Sequence, residues 1–232
     1  MYCCNAQIEK NTIIILCGGS GKRMNLENKK QYLEFLGRPM FMNSEIVSEK
    51  CNLIDEIIIV TSPEDIKYVE EQCELEKISK VKTIVCGGKE RRDSVMNALK
   101  SCPDGIILVH DGVRPFIKEE YILDGINYLK KNEDIDGVVI GVKTKDTIKI
   151  VNDENIIIKT LKREELINAQ TPQIFRSEIL KKAYLKSEEI GFIGTDDSSL
   201  IEKIGGKIKV LNGDYENIKI TTIDDLKYLR NL

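Results

Sequence analysis

Histidine is almost absent from this chain, and its cysteines do not form a metal-binding or disulfide pattern. The sequence has one histidine and seven cysteines, and no two cysteines stand in a C-x-x-C arrangement. Structural zinc sites use such pairs or several histidines, and disulfide frameworks use an even number of cysteines. The sequence therefore predicts neither kind of site.

Long apolar runs, an excess of one charge and a long low-complexity linker are also missing. The longest apolar segments have the length of a strand, and residues 1–10 lack the cationic start and apolar core of a signal peptide. The net charge of -3 is too balanced for a general nucleic-acid or membrane-surface binder. We therefore expect one cytoplasmic domain over residues 1–232 that recognises small molecules and neither nucleic acid nor membrane.

Short β-branched runs alternate with helical segments along most of the chain. The predicted strands are residues 12–16, 56–60, 82–85, 105–109, 137–140 and 207–211. The predicted helices are residues 64–73, 91–99, 119–130, 197–204 and a closing helix with Thr222 as its N-cap. Strands that are apolar throughout indicate a sheet covered on both faces. The fold class is therefore α/β, a mostly parallel Rossmann-like sheet flanked by helices, with ligand-binding loops along one edge.

The alternation breaks at about residues 142–165. Residues 146–151 and 156–160 are β-branched and flank the turn-rich tetrapeptide Asn152–Asn155, which predicts a β-hairpin. A hairpin that leaves a parallel sheet is either a lid or an arm that contacts a second subunit.

A glycine-rich loop with basic residues follows the first predicted strand. Residues 17–24 read Cys-Gly-Gly-Ser-Gly-Lys-Arg-Met, and Lys30–Leu33 comes shortly after. Glycine permits positive φ and close approach of backbone N–H groups to anionic oxygens, and nearby cations add charge. The spacing is neither that of a Walker A loop nor that of a dinucleotide-binding fingerprint. Cys17 has no histidine nearby in sequence to activate it, so we interpret it as a packing residue.

We predict that this loop binds a triphosphate. The candidate phosphate-binding residues are Gly18, Gly19, Gly21, Lys22, Arg23 and Lys30. Displacement of pyrophosphate from a nucleoside triphosphate needs fixed charge at the reacting phosphorus and little covalent help, which suits such a loop.

The loop motif resembles the signature of nucleotidyltransferases that make sugar or polyol nucleotides, and specifically that of the 2-C-methyl-D-erythritol 4-phosphate cytidylyltransferases. Further segments resemble this family in its own order. They are Gly87–Val95, Val109–Phe116, Lys145–Lys149 with Arg163, Gln170–Phe175, Thr195–Ser199 and Asn217–Thr222. The resemblance covers residues 12–228.

The resemblance implies cytidylyl transfer from CTP to methylerythritol phosphate, assisted by Mg²⁺. It implies that Arg23 and Lys30 stabilise the transition state at the α-phosphate of CTP. Arg163 and Lys219 would position the polyol phosphate. Asp111 would lie near Mg²⁺ and the ribose. Several cations suit this reaction, because two phosphorylated molecules that repel each other must be held in line.

Other substrate contacts are implied in the same way. Cytosine would be read by Gly87, Ser94 and the backbone near Leu16 and Cys17. The polyol phosphate would be bound by Thr147 and Thr195. The remaining implied substrate-binding residues are Gly18, Gly19, Gly21, Lys22, Arg91, Gly112, Arg114 and Thr221. In this family the hairpin reaches into a neighbouring subunit, so the resemblance also implies a homodimer in which Thr147 and Arg163 serve the other chain's site.

Alternatives remain open. The alternative role of Asp111 is that of a turn-capping residue, which Asp often is at such positions, with Arg114 simply paired to it. His110 is expected to be packed and neutral. The pair Cys17-Gly18 and the pair Gly112-Val113 stand where the family more often has alanines, and Lys29 replaces a proline. Related cytidylyltransferases that act on ribitol 5-phosphate show similar changes. Ribitol 5-phosphate is therefore the first alternative acceptor. A catalytically silent nucleotide-binding module is the second.

Overall fold

The computed structural model describes residues 9–19 and 29–230. The strands are β1 Lys10–Leu16, β2 Glu34–Phe35, β3 Arg38–Pro39, β4 Glu56–Thr61, β5 Val81–Cys86, β6 Gly105–Asp111, β7 Gly137–Lys143, β8 Lys149–Val151, β9 Ile157–Thr160, β10 Ile167–Arg176 and β11 Ile208–Asn212. The α-helices are α1 Met42–Lys50, α2 Ile66–Leu75, α3 Arg91–Leu99, α4 Glu119–Lys131, α5 Ser177–Glu189, α6 Asp197–Lys203 and α7 Lys227–Arg230. Short 3₁₀ turns cover Lys30–Tyr32, Pro63–Asp65, Arg163–Glu165 and Ile223–Leu226.

A seven-stranded sheet forms the centre of the fold, with the strand order β11-β7-β10-β6-β1-β4-β5. Strand β10 is antiparallel to both of its neighbours, β6 and β7. The other neighbouring pairs are parallel. The sheet is therefore mostly parallel, as the sequence predicts.

Both faces of the sheet are covered because its central strands are apolar throughout. Ile13 and Ile15 of β1 pack with residues of α1, α2 and α4 on one face. Ile14 packs with residues of α3, α5 and α6 on the other. All three isoleucines are fully buried, so each side chain contributes about 1.5–3 kcal/mol of burial free energy.

The parallel strands bring their carboxyl ends to one edge of the sheet. Leu16, the last residue of β1, is paired with Val60 of β4 and with Asp111 of β6. The backbone N–H of Gly112 donates to Leu16 O at 3.0 Å, and that of Gly87 donates to Thr61 O at 2.8 Å. The loops that follow β1, β5 and β6 therefore start side by side.

Strands β8 and β9 form a separate antiparallel hairpin. Every residue of these two strands is exposed. The predicted hairpin is confirmed, although its strands are shorter than the sequence pattern indicates.

Several other elements differ from the sequence prediction. The sequence pattern gave no signal for α1, β10 or α5. The segment after Pro63 starts as a 3₁₀ turn before α2. The closing segment is also a 3₁₀ turn, with Thr222 as its N-cap, followed by the short helix α7. Among the described residues, none of the helices has the length and apolar character needed to cross a membrane.

Candidate active site

A cavity of about 490 Å³ lies at the carboxyl edge of the sheet. It is bordered by the loops that follow β1, β5 and β6, the start of α3 and the segment around Lys219. The sequence-predicted site residues in its lining are Leu16, Cys17, Gly18, Gly19, Lys30, Arg91, Ser94, Asp111 and Lys219. The structure thus brings together residues that are up to about two hundred positions apart in the sequence.

A larger cavity of about 660 Å³ lies at the opposite edge, beside the start of β6 and of α5. Its most prominent cation, Arg176, already donates to the carbonyl oxygens of Leu129, Asn132 and Ile135. Parallel sheets bind ligands at the carboxyl ends of their strands. We therefore assign the smaller cavity as the candidate site.

Asp111 is surrounded by cations. Its carboxylate lies 2.7 Å from Lys219 Nζ, 3.4 Å from Arg91 Nε and 4.0 Å from Arg114 Nε. Burial alone would raise the pKa of this carboxyl, but the charges of Arg91 and Lys219 outweigh that effect and hold its pKa well below the usual range. Asp111 is therefore ionised at neutral pH and works as an anion within a cationic cluster.

Arg114 is held mainly by the backbone. Its Nη1 donates to Asn217 O at 2.7 Å, and burial lowers its pKa. Its contact with Asp111 is long by comparison. The alternative that Arg114 simply pairs with Asp111 therefore accounts for the weaker of its two contacts, and the hydrogen bond to Asn217 O is the stronger one.

His110 fixes the backbone beside Asp111. Arg114 O can only accept a hydrogen bond, so His110 Nε2 carries the proton and donates to it at 3.3 Å. Nδ1 of the neutral ring is then the acceptor and receives the Thr171 hydroxyl hydrogen at 3.0 Å. Thr171 Oγ1 in turn accepts from the Asp111 N–H at 3.1 Å. The side chain is fully buried, and this burial lowers its pKa to about 4. The expectation of a packed, neutral histidine is confirmed.

Gln31 supports the loop that follows β1. Its Nε2 donates to Cys17 O at 2.6 Å and to Gly19 O at 3.1 Å. The Cys17 N–H donates to Val60 O at 2.7 Å. Since this N–H is already bonded and the carbonyl oxygen accepts from Gln31, the Cys17 backbone can offer a ligand only the second lone pair of that oxygen. The expected positive φ is wrong for Gly18 and Gly19, neither of which is in the left-handed region.

Gly18 and Gly19 matter for access rather than for backbone conformation. A Cβ at Gly18 would meet only ordinary contacts, and one at Gly19 would meet no atom within 4 Å. Both residues are exposed and line the cavity. Their missing side chains leave the backbone open to a ligand. Gly21, Lys22 and Arg23 lie outside the described residues.

Cys17 is a packing residue, as expected from the sequence. Its thiol is buried, and burial raises its pKa. Gly112 packs directly against it, since a Cβ at Gly112 would lie 2.7 Å from Cys17 Sγ and 3.1 Å from Leu16 O. The larger residue at position 17 therefore requires the smallest one at position 112.

Ser94 ties the start of α3 to the preceding loop. Its Oγ accepts from the Gly88 N–H at 3.0 Å and donates to Glu90 O at 3.1 Å. Gly87 lies beside this hydroxyl, because a Cβ there would be 3.1 Å from Ser94 Oγ. Thr221 lies next to the segment of Lys219, and its hydroxyl donates to Lys219 O at 3.0 Å.

Three predicted residues lie away from the cavity. Thr147, Arg163 and Thr195 are exposed and are absent from its lining. Arg163 Nη1 donates to Lys145 O at 3.1 Å, which places it at the base of the hairpin. One chain alone therefore does not bring Thr147 or Arg163 into the lining, whereas Thr195 stands two residues before Asp197, which binds Arg91 of that lining.

Four residues at or beside the site have no individual signal in the sequence: Asp197, Tyr184, Thr171 and Asn217. Asp197 is fully buried and binds Arg91 with both carboxylate oxygens. Asn217 Nδ2 donates to Thr171 O at 3.0 Å. Asp197, Thr171 and Asn217 fall within the motifs that carry the family resemblance, which was the available signal. No sequence motif pointed to Tyr184.

Within residues 9–19 and 29–230, no group of three or more His, Cys, Asp or Glu side chains could hold a metal ion. A divalent cation at this site would therefore have Asp111 as its main protein ligand and would need oxygens of the substrate. Such a donor set fits Mg²⁺, which is commonly bound by one or two carboxylates together with phosphates and water.

Known proteins are similar to this chain in sequence and in fold. The family model described as IspD, 2-C-methyl-D-erythritol 4-phosphate cytidylyltransferase, matches residues 12–230. A protein of that name from Fusobacterium nucleatum is 46% identical over 233 residues, with 99% of this chain and 100% of the relative covered. One from Clostridium acetobutylicum is 40% identical, with 93% and 94% covered.

Solved structures of the same family have a similar fold. The crystal structure of 4-diphosphocytidyl-2C-methyl-D-erythritol synthase from Anaerococcus prevotii has a TM-score of 0.82 and 33% identity, and 96% of this chain and 97% of that chain are covered. The Francisella tularensis enzyme has a TM-score of 0.79 and 29% identity, with 96% and 99% covered. The chain belongs to the 2-C-methyl-D-erythritol 4-phosphate cytidylyltransferase family.

Proposed function

We propose that this chain transfers the cytidylyl group of CTP to 2-C-methyl-D-erythritol 4-phosphate and releases pyrophosphate. A phosphate oxygen of the acceptor attacks the α-phosphorus of CTP, and the bond from that phosphorus to the β-phosphate oxygen breaks. Pyrophosphate leaves with the bonding electron pair. The cluster of Lys219, Arg91 and Arg114 around Asp111, beside the open glycine backbone, is the observation that carries the proposal.

The chemistry requires positive charge more than it requires a base. An acceptor phosphate is already an anion, so its oxygen needs no proton removed before attack. Lys30 and Lys219 line the same cavity, where they are suited to hold the two phosphorylated substrates and to stabilise charge in the transition state. We assign the same role at the α-phosphate to Arg23, which is outside the described residues.

Mg²⁺ is part of the proposal. Asp111 would hold it together with oxygens of the triphosphate, because this carboxyl stays ionised at neutral pH. When bound, the ion would offset negative charge on the triphosphate and on the departing pyrophosphate. Lys219 is the described residue paired most closely with Asp111. If Asp111 binds the ion, the Lys219 ammonium would be available for a phosphate.

We further propose a homodimer formed through the hairpin β8–β9, which serves as an arm. Six aliphatic side chains of the hairpin are exposed, those of Ile148, Ile150, Val151, Ile156, Ile157 and Ile158. Such a concentration of exposed apolar surface is typical of a protein–protein contact. In the dimer, Thr147 and Arg163 would bind the acceptor phosphate in the neighbouring chain's site. The cytoplasmic location and the single-domain boundaries stay predictions.

Pyrophosphate release tests the proposal directly. The protein is incubated with CTP and Mg²⁺ and with each acceptor in turn, 2-C-methyl-D-erythritol 4-phosphate or ribitol 5-phosphate. We expect release with the first acceptor and not with EDTA in place of Mg²⁺. Preference for ribitol 5-phosphate would overturn the acceptor assignment, and no release with either acceptor would favour a silent nucleotide-binding module.

A further inference from the structure

Asp197 at the start of α6 binds the guanidinium of Arg91 from behind the cavity wall. Arg91 Nη1 donates to Asp197 Oδ1 at 3.0 Å, and Nη2 donates to Oδ2 at 2.7 Å. The Tyr184 hydroxyl of α5 also donates to Oδ1. Asp197 is fully buried, whereas the Arg91 side chain lines the cavity. The pair therefore joins a buried anchor to a residue that a ligand can reach.

Helix formation does not explain this carboxylate. The N-cap of α6 is Asp196, whose Oδ1 accepts from the Ser199 N–H at 3.0 Å. Gln173 Nε2 donates to Asp196 Oδ2 at 2.7 Å and so fixes the helix start to β10. Burying a charge is costly even when it is paired. Asp197 thus adds a buried anion to a helix that is already capped.

The contacts of the Arg91 guanidinium show that the Asp197 carboxylate fixes its orientation. Its Nη1 and Nη2 face Asp197, and its Nε faces Asp111 Oδ1 at 3.4 Å. Two carboxylates on different edges of one guanidinium fix the orientation of its plane. Without Asp197, the forked face of Arg91 would be free to turn toward Asp111, where it would compete with Lys219.

We infer that Asp197, supported by Tyr184, is a positioning residue for nucleotide binding that holds Arg91 in the cavity wall and keeps its forked face away from Asp111. This inference rests on the proposed function, because it takes the cavity as the CTP site. Asp197 touches no substrate in this scheme and acts only through Arg91.

A double-mutant cycle on CTP binding tests the inference. Binding is measured by titration calorimetry without acceptor, so that no turnover occurs. We expect D197N to weaken CTP binding by roughly 10- to 100-fold, the size of effect typical when a supporting partner is lost. R91A is expected to weaken binding as much or more, and R91A/D197N is expected to bind no more weakly than R91A alone.

D196N is the matched control. It changes the neighbouring carboxylate, whose side-chain hydrogen bonds in the described part of the chain go to Gln173, Ser198 and Ser199. Asparagine is as good an N-cap as aspartate, but its amide loses one acceptor, so D196N perturbs the start of α6 without removing a partner of Arg91. We expect unchanged CTP affinity. In turnover assays, D197N should raise KM for CTP and leave KM for the acceptor unchanged, a split that general loss of stability would not produce.

Y184F keeps every charge and carries the test if D197N does not fold. It should weaken CTP binding less than D197N, and this loss should also vanish in the R91A background. Losses that add in the double variants, or wild-type CTP affinity in D197N, would overturn the positioning role. A wild-type protein that does not bind CTP would instead overturn the proposed function itself.

Discussion

The only histidine of the sequence makes the protein's stability depend on pH in a way that can be isolated. His110 is fully buried, and its pKa is lowered from 6.5 to about 4, chiefly by burial. In the unfolded chain it returns to its ordinary value. Between these two values the unfolded chain binds a proton that the folded chain does not bind. Stability must therefore fall as the pH falls from about 6.5 to about 4.

The size of the effect follows from the two pKa values. The difference between 6.5 and about 4 corresponds to about 3 kcal/mol of unfolding free energy. Asp111 does not interfere in this window. Its pKa is lowered, so its contribution is present above its unfolded value of 3.8 and is lost only at more acidic pH.

Urea unfolding at several pH values between 7 and 4 measures the effect. The comparison variant is His110→Asn, whose amide oxygen can still accept from Thr171 and whose side chain does not ionise. We expect the stability advantage of the wild type over this variant to shrink by about 3 kcal/mol on going from pH 7 to pH 4. Other groups, such as the buried Glu45, are common to both proteins and cancel. A pH-independent difference would refute the proposed burial of a neutral imidazole.

Three further predictions concern the site. Lys219→Gln should reduce the rate of pyrophosphate release by about 100-fold or more. It should lower the urea-unfolding free energy by less than about 1 kcal/mol, because the Lys219 side chain is 36% exposed. Near-normal turnover would contradict the proposed role of Lys219. Gly112→Ala should cost about 1–3 kcal/mol of stability by overpacking, because the new Cβ would lie 2.7 Å from Cys17 Sγ. The cost should be smaller in a Cys17→Ala background, and additive losses would argue against that contact. Arg163→Ala and Lys219→Gln should each have strongly reduced activity alone. Activity should rise when the two variants are mixed and allowed to exchange subunits, because one site of the mixed dimer has both residues. No recovery would show that Arg163 does not serve the neighbouring chain.

The local pattern of the sequence was enough for most of the sheet. Apolar runs such as residues 56–60 and 105–109 have the length of buried strands, and the structure extends them by only one or two residues. The glycine-rich loop was found because it directly follows β1. These features depend on neighbouring residues, which a single sequence displays.

The rest depends on contacts between distant segments. Strand β10, residues 167–176, contains Asn, Gln, Thr and Pro among its apolar residues, and nothing in that string indicates that it runs antiparallel between β6 and β7. The Arg91–Asp197 pair joins residues 106 positions apart. Either residue alone resembles an ordinary helix-start charge, so only the folded chain reveals their partnership.

The charge cluster also shows how the fold holds several cations close together. Lys219, Arg91 and Arg114 approach one point to within 4.0 Å, and without an anion there they would repel one another. Asp111 supplies that anion, and Asp197 supplies a second one beside Arg91. In the proposed reaction, phosphate oxygens that enter the cavity would meet cations already held in place, so little free energy would be lost in gathering them. We therefore expect the buried carboxylates to preassemble the cationic site.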